Sequence, residues 1–573
     1  MAARLTAYVV VGIVAATLIA GLIVGAQRDE NDGPIDIIIH NANLYTADGP
    51  ADALAIRGNQ ILRVGTEREV MRLQRPQTTM IDARGAAVVP GFNDAHVHFI
   101  SGGLSLERVD LSAALTVDDI TSQLRMWAES NADEPWVLGG GWHYQPFPNG
   151  LPTRQQLDAI VADRPAQLTS YDGHSAWVNS RALKLAGITK ATPNPTNGVI
   201  VKDPRTGEPT GVLKEAAIEL VSRLLPPPTK SDRATALRAA VAEANRFGIT
   251  SIQSAGDSRE DLEFYGDARE AGDLTVRVYS ALNVPAALDD ASLDDLDRAM
   301  ARYSDDPLLK GGAVKLVLDG VIEARTAALL EPYANDTASG TPAIDADAFN
   351  RMVRLLDARG WQILTHAAGD RAVRMALNAY EHAVRSNAVP KRGRRHRVEH
   401  AELIDVADIP RFGALGVLAS MQPFRGSPSP IQTDVWLRNV GPERASRGWP
   451  YASVSAKAGR LAFGSDWPGV PLDPMLVLHT AVTRTTPEHL PEGGWYPDER
   501  IKLEAALDAY TSGAAWASFD EQRKGTLAKG MLADVVVLTE DIFEAPASRL
   551  ASTRVAMTIF DGKIVYRRDS QTN

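Results

Sequence analysis

The chain has no cysteine, and eleven histidines among 573 residues. The first absence removes disulfides, thiolate metal sites and a cysteine nucleophile together, and it also removes lipoprotein acylation as a route to a membrane. It is compatible with any redox compartment. No G-x-S-x-G motif occurs, so no serine nucleophile is signalled, and neither an internal repeat nor a low-complexity tract interrupts the chain. An excess of basic over acidic residues is missing as well. With a formal net charge of -11, the chain lacks the electrostatic footprint of a nucleic-acid binder.

One long apolar run is present, from Ala7 to Ala26, with Arg4 before it and the acidic RDENDG after it. About 20 uncharged residues are enough to cross a bilayer as a helix, whereas a secretory signal has a shorter apolar core of roughly 7–15. The run therefore predicts a membrane anchor over residues 1–33, with an N-inside orientation. The catalytic bulk would then lie outside the cytoplasm, periplasmic or extracellular. Val24-Gly25-Ala26 offers the alternative, a cleaved signal and a secreted protein.

Beyond the linker, IDIIIHNANLYTADGPADALAIRGNQILRVG reads as short strands between Asn, Asp and Gly turns, and KGTLAKGMLADVVVLTEDIF and TRVAMTIFDGKIVYRR read alike. Both ends of the chain thus predict one small β-sandwich domain, residues 34–88 plus 520–570. The middle, 89–519, alternates β-branched runs with helical stretches such as RATALRAAVAEANRFG and DAFNRMVRLLDARG. After VVPGFNDAHVH come GITSIQSAG, VRVYSALNV, GAVKLVLDG, WQILTHAAGD, HRVEHAEL, GVLASMQP and RLAFGSDWP. Eight such βα units predict an α/β fold, a (β/α)₈ TIM-type barrel with its chemistry at the C-terminal strand ends. An insertion from about 104 to 230 separates the first two strands, and Pro226–Pro228 closes it.

Within VVPGFNDAHVHF, His96 and His98 are spaced so that a strand would turn both imidazoles to one side. Alone, the pair would be unremarkable. The later strand ends add Lys315, His366, His400 and Asp466, so six metal-competent residues from five strands converge on one mouth. Imidazole nitrogen and carboxylate oxygen suit zinc or a similar divalent ion, one or two of them. Lys315 is open to two readings. Carboxylated on its nitrogen by carbon dioxide, it would become an anion able to bridge two ions; otherwise it is a buried lysine paired with Asp319.

The motifs PGFNDAHVH, DGHSAWVNSRAL, PTGVLKEAA, VKLVLDG, THAAGDRAV, RVEHAEL, FGSDWP and KGTLAKGMLADVVVL together resemble the amidohydrolase superfamily, in its YtcJ-like branch, from about Ile35 to Tyr566. The resemblance implies metal ligation by His96, His98, His366 and His400, a carboxylated Lys315 as bridge, and Asp466 as the aspartate that handles protons. It also implies hydrolysis of carbon–nitrogen bonds outside peptides, in amides, N-acyl or N-formyl compounds, by metal-activated hydroxide on a small-molecule substrate. The same shell could serve an esterase, a lactonase or an isomerase, and loss of activity would leave an anchored binding protein. One departure stands out: relatives commonly carry a histidine shortly after the MQP of the seventh strand, where this chain has Phe424 and Arg425.

Other candidates are weaker in kind. His174 resembles a family position near the substrate pocket, a catalytic candidate against an ordinary hydrogen-bonded histidine. Arg325 could hold a substrate carboxylate or phosphate by its planar fork, or pair with Glu323 or a neighbour. Trp142 and Tyr144 could wall the pocket or simply pack. His40, His382, His396, His479 and His489 fall outside the strand-end pattern. The outward helices could form a homo-oligomer interface, but no pairing pattern sets a number.

Overall fold

The computed structural model describes residues 35–569, apart from 48, 172, 174, 196–197 and 285–287. The expected anchor and His174 therefore lie outside the described residues. Among the described residues no helix is long and apolar enough to cross a membrane.

Eight parallel strands form the central sheet: β1 (Phe92–Val97), β2 (Ile249–Asp257), β3 (Arg277–Asn283), β4 (Leu309–Val317), β5 (Gln362–Ala367), β6 (Arg397–His400), β7 (Leu418–Met421) and β8 (Arg460–Phe463). Their order in space is their order in sequence, the order of a (β/α)₈ barrel. The two edge strands meet at the C-terminal end, where Asp466 N donates to His96 O at 2.8 Å and His98 N to Trp467 O at 2.9 Å. Closure is tight: a Cβ on Gly464 would sit 2.4 Å from His96 N, so the turn after β8 requires glycine. The expected eight-stranded barrel is what the chain forms.

The outer helices begin where the sequence supplies caps. Thr229 caps Lys230–Arg246 and Ser258 caps Arg259–Ala271, each in a reciprocal box with the acid three residues on. Asp345 caps Ala346–Ala358, whose Phe349, Met352, Val353 and Leu356 are buried at helical spacing. Beneath the barrel, carbonyls of the Ser512–Ala517 helix accept from Gln253 Nε2 (at Ala514) and Gln362 Nε2 (at Ala517), both at 2.7 Å.

Strands from both ends of the chain share one sheet: 43–44 and 87–90 pair alongside 535–538, 555–560 and 563–567. A four-stranded sheet of residues 37–40, 53–57, 60–65 and 79–82 packs against it, with Ile37, Ile39, Leu54 and Ile56 meeting Val88, Val535, Val537 and Ile559 in one core. The boundary expected at 88 needs correction, because Ala87–Pro90 is a single strand of that sheet. The stretch 104–230 carries a six-stranded sheet spanning residues 109–215, an element that sequence analysis did not foresee.

A buried ion pair ties the two-ended sheet to the barrel. Arg277 at the start of β3 donates to both carboxylate oxygens of Asp534, at 2.7 and 2.9 Å, and to Asp561 at 2.8 Å. Breaking a buried pair strands the remaining charge at a cost of about 3–5 kcal/mol, while exposed pairs contribute about 0–1 kcal/mol. We expect Asp534→Ala to lower the urea midpoint by an amount in the first range and Glu243→Ala, which frees the exposed Arg246, to stay within the second. Equal effects would mean that the Arg277 pair holds nothing in place.

Candidate metal centre

The last residue inside β1 that faces the barrel is His96, fully buried. His98 lies just past the strand, as the residue preceding the Phe99–Leu106 helix, with its side chain 43% exposed. Their Nε2 atoms stand 3.6 and 3.4 Å from Asp466 Oδ1, and one ligand atom from each of the three lies within 4.8 Å of the others. Lys315 Nζ is 3.1 Å from His96 Nε2. The rings continue inward, His400 at 4.9 Å from His96 and His366 at 4.3 Å from His400. His96, His98 and Asp466 thus form the compact trio, with Lys315 and His400 against His96 and the His366 ring edge-on to His400.

Two of these residues sit in strained backbone. Alternation along β6 would place Glu399 and His400 on opposite faces, but His400 has φ +71 and Ala401 φ +48, so the pleat breaks and His400 turns to the same mouth. Asp466 follows β8 with φ +65. Each left-handed residue costs roughly 1–2 kcal/mol, a cost that recurs where surrounding structure overdetermines a functional position.

The imidazoles are prepared for ligation. Glu399, fully buried, is pushed up by burial but held down to about 2 by Arg397 and His96. It is therefore an ionised acceptor, and His96 Nδ1 donates to it across 2.5 Å, leaving Nε2 a free lone pair. His366 Nε2 faces the carbonyl of Gly320 at 3.1 Å. That ring must carry its proton there, which frees Nδ1. Burial, reinforced by Lys315, pushes both His96 and His366 down to about 4, and burial holds His400 well below the usual range. All three are neutral at pH 7, the state a metal needs.

Arg397 is the pin beneath this arrangement. Its guanidinium donates to Glu399 Oε1 at 2.7 Å, Gln253 Oε1 and Ala95 O at 2.5 Å, and Ser420 Oγ at 2.8 Å. Lys315 is pushed down to about 8 by burial, against the pull of Glu399 and Asp466. The proposed ion pair with Asp319 does not form. Asp319 instead accepts backbone N–H from Ala328, Ala368 and Gly369 at 2.9–3.0 Å, and burial raises its carboxyl to about 7. Asp466 is held well below the carboxylate range: burial opposes this, but His98, His400 and His96 outweigh it.

Three expected contacts lie elsewhere. Trp142 is fully buried in the core of the insertion, its indole donating to Leu168 O at 2.8 Å, so it packs and offers no face to a ligand. Arg325 gives Asp336 one hydrogen bond, Nη1 to Oδ2 at 2.9 Å, and none to Glu323. Tyr144 reaches Ser175 Oγ at 3.0 Å within the same insertion. Sequence analysis passed over Glu399 and Arg397, although both lie inside RVEHAEL, and over Asp94. Asp94 accepts from Ser465 N at 3.0 Å and Tyr510 at 3.0 Å, and so binds β1 to the turn after β8.

The arrangement, four imidazoles, one carboxylate and a depressed amine at the mouth of a parallel barrel, defines a hydrolase of the metal-dependent barrel type. The model of the amidohydrolase family matches residues 79–566, and the chain belongs to that family, in its YtcJ-like branch. YtcJ of Bacillus subtilis (strain 168) is 31% identical over 93% of this chain and 99% of its own. The N-substituted formamide deformylase of Arthrobacter pascens is 28% identical over 93% of this chain and 98% of its own. A crystal structure of a metal-dependent hydrolase from Pyrococcus furiosus superposes with a TM-score of 0.69 and 26% identity, covering 87% of this chain and 98% of that one. The protein is a hydrolase of carbon–nitrogen bonds that acts on a small-molecule substrate with a divalent metal.

The geometry generates two predictions. Glu399→Gln keeps the shape of the side chain but weakens the acceptor that orients His96. Losing such an outer partner typically costs 10–100-fold in metal affinity, readable by competition with a chromophoric chelator; an unchanged affinity would remove Glu399 from the site. Second, an unfolded histidine titrates near 6.5 while His366 titrates near 4. The unfolded chain binds more protons between those values, so stability is lost as pH falls through that window. We expect the urea midpoint of the metal-free protein to drop from pH 6.5 to 4, and His366→Asn to shrink the drop.

Proposed function

We propose that this protein hydrolyses N-formyl or N-acyl compounds of low molecular weight, releasing a carboxylic acid and an amine. The observation that carries the reading is the His96–His98–Asp466 trio within 4.8 Å, with Lys315 against it. The similarity to a formamide deformylase across nearly the whole chain supports the N-formyl class.

We assign zinc to the site, held by His96, His98, His366, His400 and Asp466. When bound, the metal supplies a water acidic enough to ionise near neutral pH and polarises the substrate carbonyl. The chain contributes the rest. Asp466 directs Oδ1 at the two histidines of β1 and so receives the proton of the attacking water, then returns it to the departing nitrogen. The Glu399 carboxylate keeps the His96 ring from rotating. Lys315, with its amine pushed down to about 8, retains a neutral fraction able to add carbon dioxide at Nζ with loss of one proton; the resulting carbamate would bridge two ions. We further propose that residues 7–26 anchor the enzyme, with its catalytic bulk outside the cytoplasm.

Purified protein loaded with zinc should release amine from N-alkyl formamides or their acetyl counterparts, and chelation should abolish this. Asp466→Asn should lower kcat by about 10²–10⁴-fold, with much of the metal retained, and Lys315→Ala should lower metal content from two ions per chain to one or none. Hydrolysis of esters alone, with no amide of either class cleaved, would overturn the reading.

A further inference from the structure

Three buried arginines, Arg277, Arg397 and Arg484, place every guanidinium nitrogen on an acceptor. Arg397 serves Glu399, Gln253, Ala95 and Ser420, and Arg277 serves Asp534, Asp561 and Pro307. Arg484 serves the carbonyls of Trp495, Trp449 and Gly448. Arg425 differs. It lies on the turn Pro423–Gly426 immediately after β7, and its guanidinium makes one hydrogen bond among the described residues, Nη1 to Asp466 Oδ2 at 3.3 Å. The nearest other carboxylate, Glu402, stands 3.7 Å from Nε, too far to accept. A guanidinium carries five N–H donors, so most of this fork is unfilled, and the side chain is 23% exposed.

Asp466 does not fill the fork. Where this chain pairs arginine with carboxylate in the two-pronged manner, as Arg395 does with Glu521, both terminal nitrogens engage, at 2.6 and 2.9 Å. Arg425 offers Asp466 a single long contact. Gly469 runs alongside, and the Cβ it lacks would come within 3.5 Å of Nη1.

The position relative to the reaction is fixed by one carboxylate. Asp466 turns Oδ1 to His96 and His98 and Oδ2 to Arg425. A substrate carbonyl at the histidines therefore lies one carboxylate's width from an unfilled, partly desolvated guanidinium. The planar fork matches a carboxylate in geometry and charge. The geometry points to Arg425 as the receptor for a carboxylate carried by the substrate near the scissile C–N bond. The preferred substrates are then N-formyl or N-acyl amino acids rather than neutral amides. This inference rests on the function proposed above and adds its substrate class; it places a binding group where the family pattern has a histidine.

The test uses zinc-loaded protein with N-formylphenylalanine and its neutral counterpart N-formylphenylalaninamide, comparing wild type, Arg425→Gln and Arg425→Lys. Wild type should favour the acid at least tenfold, through KM. Arg425→Gln should raise KM for the acid at least tenfold and collapse the ratio of acid to amide, while Arg425→Lys, which keeps charge without the fork, should restore part of it. Equilibrium dialysis of N-formylphenylalanine against metal-free protein gives a readout independent of turnover: Arg425→Gln should weaken binding at least tenfold while wild type holds the acid more tightly than the amide. Equal use of acid and amide by wild type, with Arg425→Gln slowing both alike, would overturn the inference, making Arg425 a partner of Asp466 alone and leaving the proposed function standing. Failure to hydrolyse any N-formyl or N-acyl compound would instead remove the proposed function, and the dialysis result would still decide whether Arg425 receives a carboxylate.

Discussion

Everything at the mouth depends on closing the ring between its first strand and its last. The chain must bring Asp466 and Trp467 back to His96 and His98, and it does so with two backbone hydrogen bonds, the Asp94 carboxylate and a glycine that no other residue could replace at that distance. The contacts that close the barrel and the contacts that assemble the trio are made by the same few residues. Stability and site geometry are therefore not separable here: a perturbation that loosens the seam also moves Asp466 away from the histidines.

The second constraint is electrostatic. A barrel interior filled with branched aliphatic side chains would be the simpler solution, yet this one carries Arg397, Glu399, Gln253, Gln362 and Lys315. Buried charges are tolerated when paired and fully hydrogen-bonded, and Arg397 meets that condition by filling its fork. The consequence is directional. Arg397 holds Glu399 ionised, Glu399 holds the His96 ring by Nδ1, and the free Nε2 is presented upward. Neutral imidazoles cost nothing in repulsion against one another, so His96, His366 and His400 can be crowded together before any metal arrives.

Much of this was legible in the sequence because the signals were local or cumulative. Eight β-branched runs in parallel order specify a barrel, and polar residues at five of their C-terminal ends, with the family resemblance, picked out His96, His98, Lys315, His366, His400 and Asp466 as candidates, which the structure brings to one mouth. What escaped detection was non-local or broke a period. Glu399 was hidden because alternation sets it opposite His400, and only a left-handed residue reconciles them. Trp142 stayed open between two readings because a Gly-rich aromatic stretch looks the same in a pocket wall and in a core. The sheet within the insertion was missed because three of its five pairings, such as 137–142 with 166–170, are non-local and join its hairpins into one sheet. Arg325 and Lys315 were each given a pairing alternative, and the structure chose Asp336 for one and His96 for the other.

The small sheet has a consequence for how the protein is made. Its strand at Ala87–Pro90 leads directly into β1, and it pairs with Val535–Leu538, which the ribosome delivers only after the entire barrel. Throughout synthesis that strand presents an unpaired edge, a template for association with other chains. The barrel and its mouth, complete by Asp466, can therefore assemble before the small sheet does, and the strand leading into β1 waits with one edge open until the far end of the chain is made.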